Sequence, residues 1–147
     1  MTPTPIRLLE HRKQLTACGN ELFRVCDVEL TRITGAQRQV SGAFLFGMAY
    51  AYGKAHHLTP SDIHVLIIAV LIDVLHYGPD HATTFSFKLV QATNGGPKNA
   101  TKTIIHRGIE GHRQLTSGDQ TGLRQNLLGV FETSGQPYAV PTAQSAV

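Results

Sequence analysis

The sequence predicts an all-α protein, a compact single-domain helical bundle of about six to seven helices around a central hydrophobic antiparallel hairpin formed by residues 36–57 and 60–77. Three observations support this. The chain has 147 residues, the length of one ordinary domain. Apolar residues recur at three-, four- and seven-residue steps along most of it, which is the period of a helix with one buried face. Finally, the eight unbroken apolar residues from Val65 to Ile72 stand between signals that start and stop a helix.

The N-terminal part predicts two helices, at about 5–18 and 21–33. Apolar residues keep helical spacing through both stretches, but Gly19 and Asn20 interrupt the pattern. Glycine weakens a helix interior and asparagine is a good N-cap, so we expect a break there and not one long rod.

Residues 36–57 carry two competing patterns. Large side chains alternate with small ones, which favours a strand: Phe44, Phe46, Met48, Tyr50 and Tyr52. Small residues also occupy every fourth position, which favours a helix: Ala43, Gly47, Ala51 and Ala55. Such a row makes a smooth ridge against which another helix can pack closely. We predict a helix whose aromatic side chains lie in the core.

The helix predicted at 60–77 contains the longest apolar run of the chain. Its start signals are a hydroxyl N-cap, a proline and an acidic residue in the first turn: Thr59, Pro60 and Asp62. Gly78 and Pro79 supply the stop. Valine and isoleucine would also suit a strand, but the capped length suits a helix better. Because Asp73 ends the run after eight residues, it is too short to span a membrane, and we predict a core helix.

Three further helices are predicted, at 81–93, 97–115 and 119–133. Asp80 is expected to cap the first, and Gly108 and Gly111 should weaken the second.

The chain therefore divides into a helical domain at 1–133 and a flexible C-terminal tail at 134–147. The tail is low in charge and in periodic apolar residues.

Composition narrows the class of protein. The chain is 41% hydrophobic and 16% charged, too apolar for a disordered chain and too mixed for an integral membrane protein. Its net charge of +3 permits an acidic partner without requiring one. The N-terminus shows no secretory signal, so we expect a cytoplasmic protein. Cys18 and Cys26 lie too far apart on a helix to bridge, which predicts two reduced thiols.

One cluster of residues could hold a divalent metal: Asp73, His76, Asp80 and His81. Asp73 and His76 share a helix face, and the other two follow across a tight turn, so the four could converge. The alternative is a simple hydrogen-bonded pair beside a helix cap. No paired-ligand motif such as HExxH is present. The sequence therefore favours a protein without a cofactor, and a divalent metal at these four residues is the alternative.

A basic stripe follows one face of the helix at 97–115: Lys98, Lys102, His106 and Arg113. It could contact an acidic protein surface or nucleic-acid phosphates, or it could be a solvated face. The segment GGPKNATKT resembles a phosphate-binding loop only superficially, because Thr101 stands where the second glycine is required.

These features favour a non-enzymatic cytosolic protein that binds an acidic protein partner through the basic stripe. Small bacterial toxin-neutralising proteins, of the immunity or antitoxin kind, and secretion chaperones both fit this size and class, and we favour the former. The first alternative is a metal-dependent enzyme or sensor, and the second is a nucleic-acid-binding helical protein. Self-association also stays possible, and the sequence names neither the partner nor a substrate.

Overall fold

The computed structural model describes residues 4–94 and 98–139, and every regular element in them is helical. The α-helices are α1 Leu9–Val25, α2 Gly35–Ala55, α3 Pro60–Asp73, α4 Pro79–Thr93, α5 Ala100–Ser117 and α6 Gln120–Thr133. Two short 3-10 turns, Ile6–Leu8 and Leu30–Arg32, precede α1 and α2. The all-α prediction is confirmed. None of these described helices is long and apolar enough to cross a membrane.

Helix α1 runs through Gly19 and Asn20, so the predicted break is wrong. A Cβ added at Gly19 would lie 2.9 Å from Val74 Cγ2, which shows that the glycine is there for close packing. The second predicted helix, at 21–33, is wrong as well. Helix α1 ends at Val25, and Asp27 follows in the left-handed conformation with φ of 56°.

Helix α2 is the central element, and it packs closely against another helix, as the ridge of small residues predicted. Thr34 and Gln37 start it with a capping box, in which each side chain bonds the other's backbone N–H. Every residue from Val40 to Ala49 is buried, so all faces of this stretch contact other helices.

The most extensive contact of α2 is with α5, whereas the sequence predicted that α3 would be its main partner. The two backbones touch at Gly47 and Gly108. A Cβ at Gly47 would lie 2.0 Å from the carbonyl oxygen of Ile105, and one at Gly108 would lie 2.0 Å from that of Phe44. These pairs run in opposite directions along the helices, so α2 and α5 are antiparallel. The glycine in α5, predicted only to weaken it, permits this crossing.

Helix α3 ends at Asp73, four residues before the predicted end. The chain then turns through His76, whose φ is 61°, and not through a glycine. Gly78 and Pro79, which we predicted as the stop signal, are instead the N-cap position and the first residue of α4. Asp80 therefore lies inside the first turn of α4 and does not cap it, which corrects the prediction.

Helices α5 and α6 begin at side-chain caps. Asn99 Oδ1 accepts the N–H of Lys102 at 2.8 Å, and Asp119 Oδ1 accepts that of Gly122 at 2.9 Å. Gly118, with φ of 80°, makes the turn between the two helices. The predicted start of α5 at residue 97 lies outside the described residues.

The first part of the predicted tail lies against the connection between α1 and α2 and the first turn of α2. The hydroxyl of Tyr138 accepts the N–H of Glu29 at 2.9 Å, and the side-chain amide of Gln37 donates to the carbonyl of Pro137 at 3.0 Å. Residues 140–147 lie outside the described residues, so the flexibility of the tail stays a prediction.

Candidate functional site

An open groove with a volume of about 720 Å³ lies on the surface between four helices, and we call it the α2–α5 groove. Its principal lining residues are Phe46, Tyr50 and Lys54 of α2, Ile63, His64 and Ile67 of α3, Phe87 and Val90 of α4, and Lys102, Ile105, His106 and Ile109 of α5. This volume is within the range of about 300–1,000 Å³ that is typical of binding sites.

Helical periodicity explains why these residues meet. The contributions of α2 lie four residues apart, and those of α5 lie at positions i, i+3, i+4 and i+7, so each set occupies one face. The close crossing at Gly47 and Gly108 brings the two faces together. Small residues in the crossing thus leave the neighbouring large ones to form the walls.

Two aromatic side chains of the groove are accessible to solvent. Tyr50 is 42% exposed and Phe87 is 54% exposed, although most large apolar side chains of the described residues are buried. The prediction that all aromatics of α2 lie in the core is therefore wrong for Tyr50. Exposed aromatic rings beside an apolar groove are typical of a surface that binds another molecule.

The charged side chains that line the groove are all basic. They are Lys54 and Lys102, and no carboxylate is among the described lining residues. Asp62 of α3 stands between two lining residues in the sequence, Ser61 and Ile63. It is 7% exposed and accepts two hydrogen bonds of 2.7 and 2.8 Å from Arg7. The Arg7 guanidinium holds the pKa of Asp62 below its usual value. Asp62 therefore does little to offset the positive charge of the groove.

His64 belongs to the groove in its neutral form. Burial lowers the pKa of His64, and its Nε2 lies 3.0 Å from Ser86 Oγ. The Ser86 hydroxyl donates its own hydrogen to the carbonyl of Thr83, so Nε2–H of His64 must be the donor to Ser86. His64 is therefore a partly buried polar group with a hydrogen-bond partner.

A second surface depression, of about 490 Å³, lies where α1 meets the α5–α6 turn. Its lining includes Cys18 and Glu21 and lacks a lysine among the described residues. Glu21 forms an ion pair with Arg24 on the same helix, so its negative charge is largely neutralised. It is a weaker candidate for a charged partner than the α2–α5 groove.

The structure separates the predicted basic stripe into parts. Lys102 and His106 line the groove. Arg113 lies beyond it and forms an ion pair with Glu110 on the surface of α5. Lys98 precedes α5 and is exposed.

The predicted metal ligands are not brought together. Asp73 accepts two hydrogen bonds of 2.7 Å from Arg12 and one of 3.1 Å from Thr16, and Arg12 holds its pKa below the usual value. His76, Asp80 and His81 are exposed in the turn after α3 and the start of α4. In 4–94 and 98–139, no three His, Cys, Asp or Glu side chains could hold a metal ion together. The predicted metal site is therefore wrong, because Arg12 already binds both carboxylate oxygens of Asp73.

One polar network escaped the sequence analysis. The hydroxyl of Tyr52 donates to Gln14 Oε1 at 2.8 Å and accepts from His11 Nδ1 at 2.8 Å. The ring of His56 stacks on Tyr52 at 4.1 Å, and that of His112 approaches edge-on at 6.3 Å. Tyr52 is 4% exposed, and both of its hydrogen-bond partners come from α1, so the network joins α1 to α2.

The family model described as Immunity protein 48 matches residues 11–133, from the first turn of α1 to the last residue of α6. This chain belongs to the Immunity protein 48 family. Among curated proteins and solved structures, none matches it. The match includes the whole described lining of the α2–α5 groove. The chain therefore has an immunity-protein-like role, and the groove lies within the residues that match the family model.

Proposed function

We propose that this chain is an immunity protein that neutralises a toxin by binding it as an intact protein partner, without catalysis. The family match over residues 11–133 is the observation that carries the proposal. It supports the toxin-neutralising hypothesis, which rested on size and fold class alone. The cytoplasmic location stays a prediction that fits this role.

The charges of the chain support an acidic contact surface on the toxin. In the part of the chain that the structure describes, every ion pair uses an arginine, and no lysine takes part. The lysine ammonium groups thus add their charge to the surface without an internal partner. Opposite charge on a toxin would speed association and fix its orientation.

The metal-dependent alternative has lost its ligand set, because Arg12 occupies Asp73. The nucleic-acid alternative rested on the whole basic stripe, and Glu110 pairs with one of its cations, Arg113. A protein-binding role explains the accessible apolar groove better than either.

Coexpression tests the proposal. Polypeptides from the source genome that stop growth when expressed alone are each expressed in a host with this chain or with an empty vector. We expect the chain to restore growth against one of them and to form a stable complex with it on size-exclusion chromatography. Failure to restore growth against any such polypeptide would contradict the proposed function.

A further inference from the structure

The α2–α5 groove has properties that the basic stripe alone does not predict. Its walls are aliphatic and aromatic, whereas Lys54 and Lys102 are its charged lining residues. These two lysines come from different helices, α2 and α5. A ligand that pairs with both lysines must therefore contact both helices.

We propose that the groove is the docking site for an acidic segment of the toxin, with an apolar anchor side chain between the walls and carboxylates paired to Lys54 and Lys102. This inference rests on the proposed function and adds the place and chemistry of contact. Charge complementarity selects the occupant, because no carboxylate is among the described residues that line the groove.

The apolar anchor follows from the composition of the walls. Phe87 is 54% exposed, and its ring meets that of His64 edge-on at 5.0 Å. Ile105 is 3% exposed and Ile109 is half-buried, so apolar surface continues from the rim inward. Covering such surface with an apolar side chain contributes to affinity.

A protein segment fits this groove better than a nucleic acid does. Nucleic-acid sites combine several phosphate contacts with aromatic platforms on which bases stack. Here two lysines stand among walls that are largely aliphatic, including Ile63, Ile67 and Ile109. Aliphatic walls accept leucine, isoleucine or phenylalanine side chains. Two lysines supply fewer cations than the several phosphate contacts of a nucleic-acid site, and the exposed aromatic rings of the described groove are two, Tyr50 and Phe87.

The inference also separates the groove from the stripe. Arg113 belongs to the stripe but is paired with Glu110, whereas Lys54 lines the groove and lies outside the stripe. Reversing Lys54 should therefore matter for binding, and reversing Arg113 should not.

The test measures the affinity of the purified full chain for the toxin that it neutralises in the coexpression assay. We expect Lys54→Glu combined with Lys102→Glu to weaken binding by about 30-fold or more, because close charge pairs across an interface are worth several-fold each and reversal adds repulsion. Phe87→Ala should weaken it by about 10-fold. Arg113→Glu and the matched control Lys13→Glu, an exposed lysine of α1, should each change it less than about 3-fold. Unchanged thermal unfolding of each variant shows that folding is intact.

The outcomes distinguish the two proposals. If the wild-type chain protects and the Lys54 and Lys102 reversal binds within 3-fold of it, the docking site is wrong and the proposed function stands. If Arg113→Glu weakens binding as much as the combined Lys54 and Lys102 reversal does, the stripe is the interface and the inference is overturned. If a thymidine oligonucleotide competes with the toxin for the groove, a nucleic acid is its occupant, which also overturns it. A charge swap locates the contact. If a toxin variant with one carboxylate changed to lysine binds the Lys54→Glu chain but not the wild-type chain, that carboxylate lies against Lys54.

Discussion

The substitution Gly108→Ala tests whether α2 and α5 cross with their backbones in contact. The added methyl carbon would lie 2.0 Å from the carbonyl oxygen of Phe44 and 3.1 Å from Cα of Gly47. The contact at 2.0 Å would have to open to about 3.4 Å, where ordinary van der Waals contact begins. Because the neighbour is backbone and not the end of a flexible side chain, the whole of α5 must shift.

The expected magnitude is the difference of two effects. Overpacking a core costs about 1–3 kcal/mol, and a backbone clash belongs at the upper end. Alanine is favoured over glycine inside a helix by about 1 kcal/mol, which offsets part of that cost. We expect Gly108→Ala to lower the free energy of unfolding by about 2 kcal/mol.

Gly129→Ala in α6 is the matched control, because the nearest atom to its added carbon is Arg107 Nη2 at 3.8 Å. It should gain up to about 1 kcal/mol from helix propensity alone. Chemical denaturation of both variants measures these changes. A Gly108→Ala protein as stable as the wild type, or stabilised like Gly129→Ala, would refute the close crossing.

Three further predictions concern single side chains. In the described residues, Ser41 Oγ is the buried side-chain nitrogen or oxygen atom without a hydrogen-bond partner. Ser41→Ala should therefore raise the free energy of unfolding by about 1 kcal/mol. A lower free energy of unfolding in chemical denaturation would contradict this. Asp73→Asn should lower the free energy of unfolding by about 1 kcal/mol at neutral pH, since the partly screened charge attraction to Arg12 and one of the two accepting oxygens are lost. Because the folded-state pKa of Asp73 is depressed, the wild-type advantage should be complete above its ordinary value of 3.8 and disappear as pH falls below it, whereas a difference that persists at the lowest pH would argue against the pair. Burial raises the pKa of Cys26 to about 12, so a thiol reagent at pH 8 should modify Cys18 first, and equal rates would contradict the packing of Cys26.

Local signals predicted the start of α3. Thr59 with Pro60 marked it, because a cap depends on only a few adjacent residues. The ridge at Gly47 predicted close helix packing, although the partner proved to be α5.

The failures arose where distant contacts decide the local structure. Gly19 reads as a helix breaker, but its place opposite Val74 makes it a packing residue. Asp73 reads as a metal ligand, but Arg12, 61 residues away, takes its oxygens. Both outcomes depend on tertiary neighbours that residue spacing does not reveal.

The candidate site was only partly predictable for the same reason. Lys102 and His106 share a helix face, so the sequence could place them together. Lys54 and Phe87 join them only through the packing of α2 and α4 around α5, and no periodicity links their positions. The basic character was visible in the sequence, whereas the groove was not.

A titration of toxin activity against the amount of purified chain tests the central claim most directly, because a binder and an enzyme differ in stoichiometry. At toxin concentrations well above the dissociation constant, we expect the remaining activity to fall linearly and reach zero at a fixed, near-equimolar ratio. Dilution below the dissociation constant should release active toxin again. Loss of activity at a small fraction of that ratio, growing with time and not reversed by dilution, would contradict neutralisation by binding.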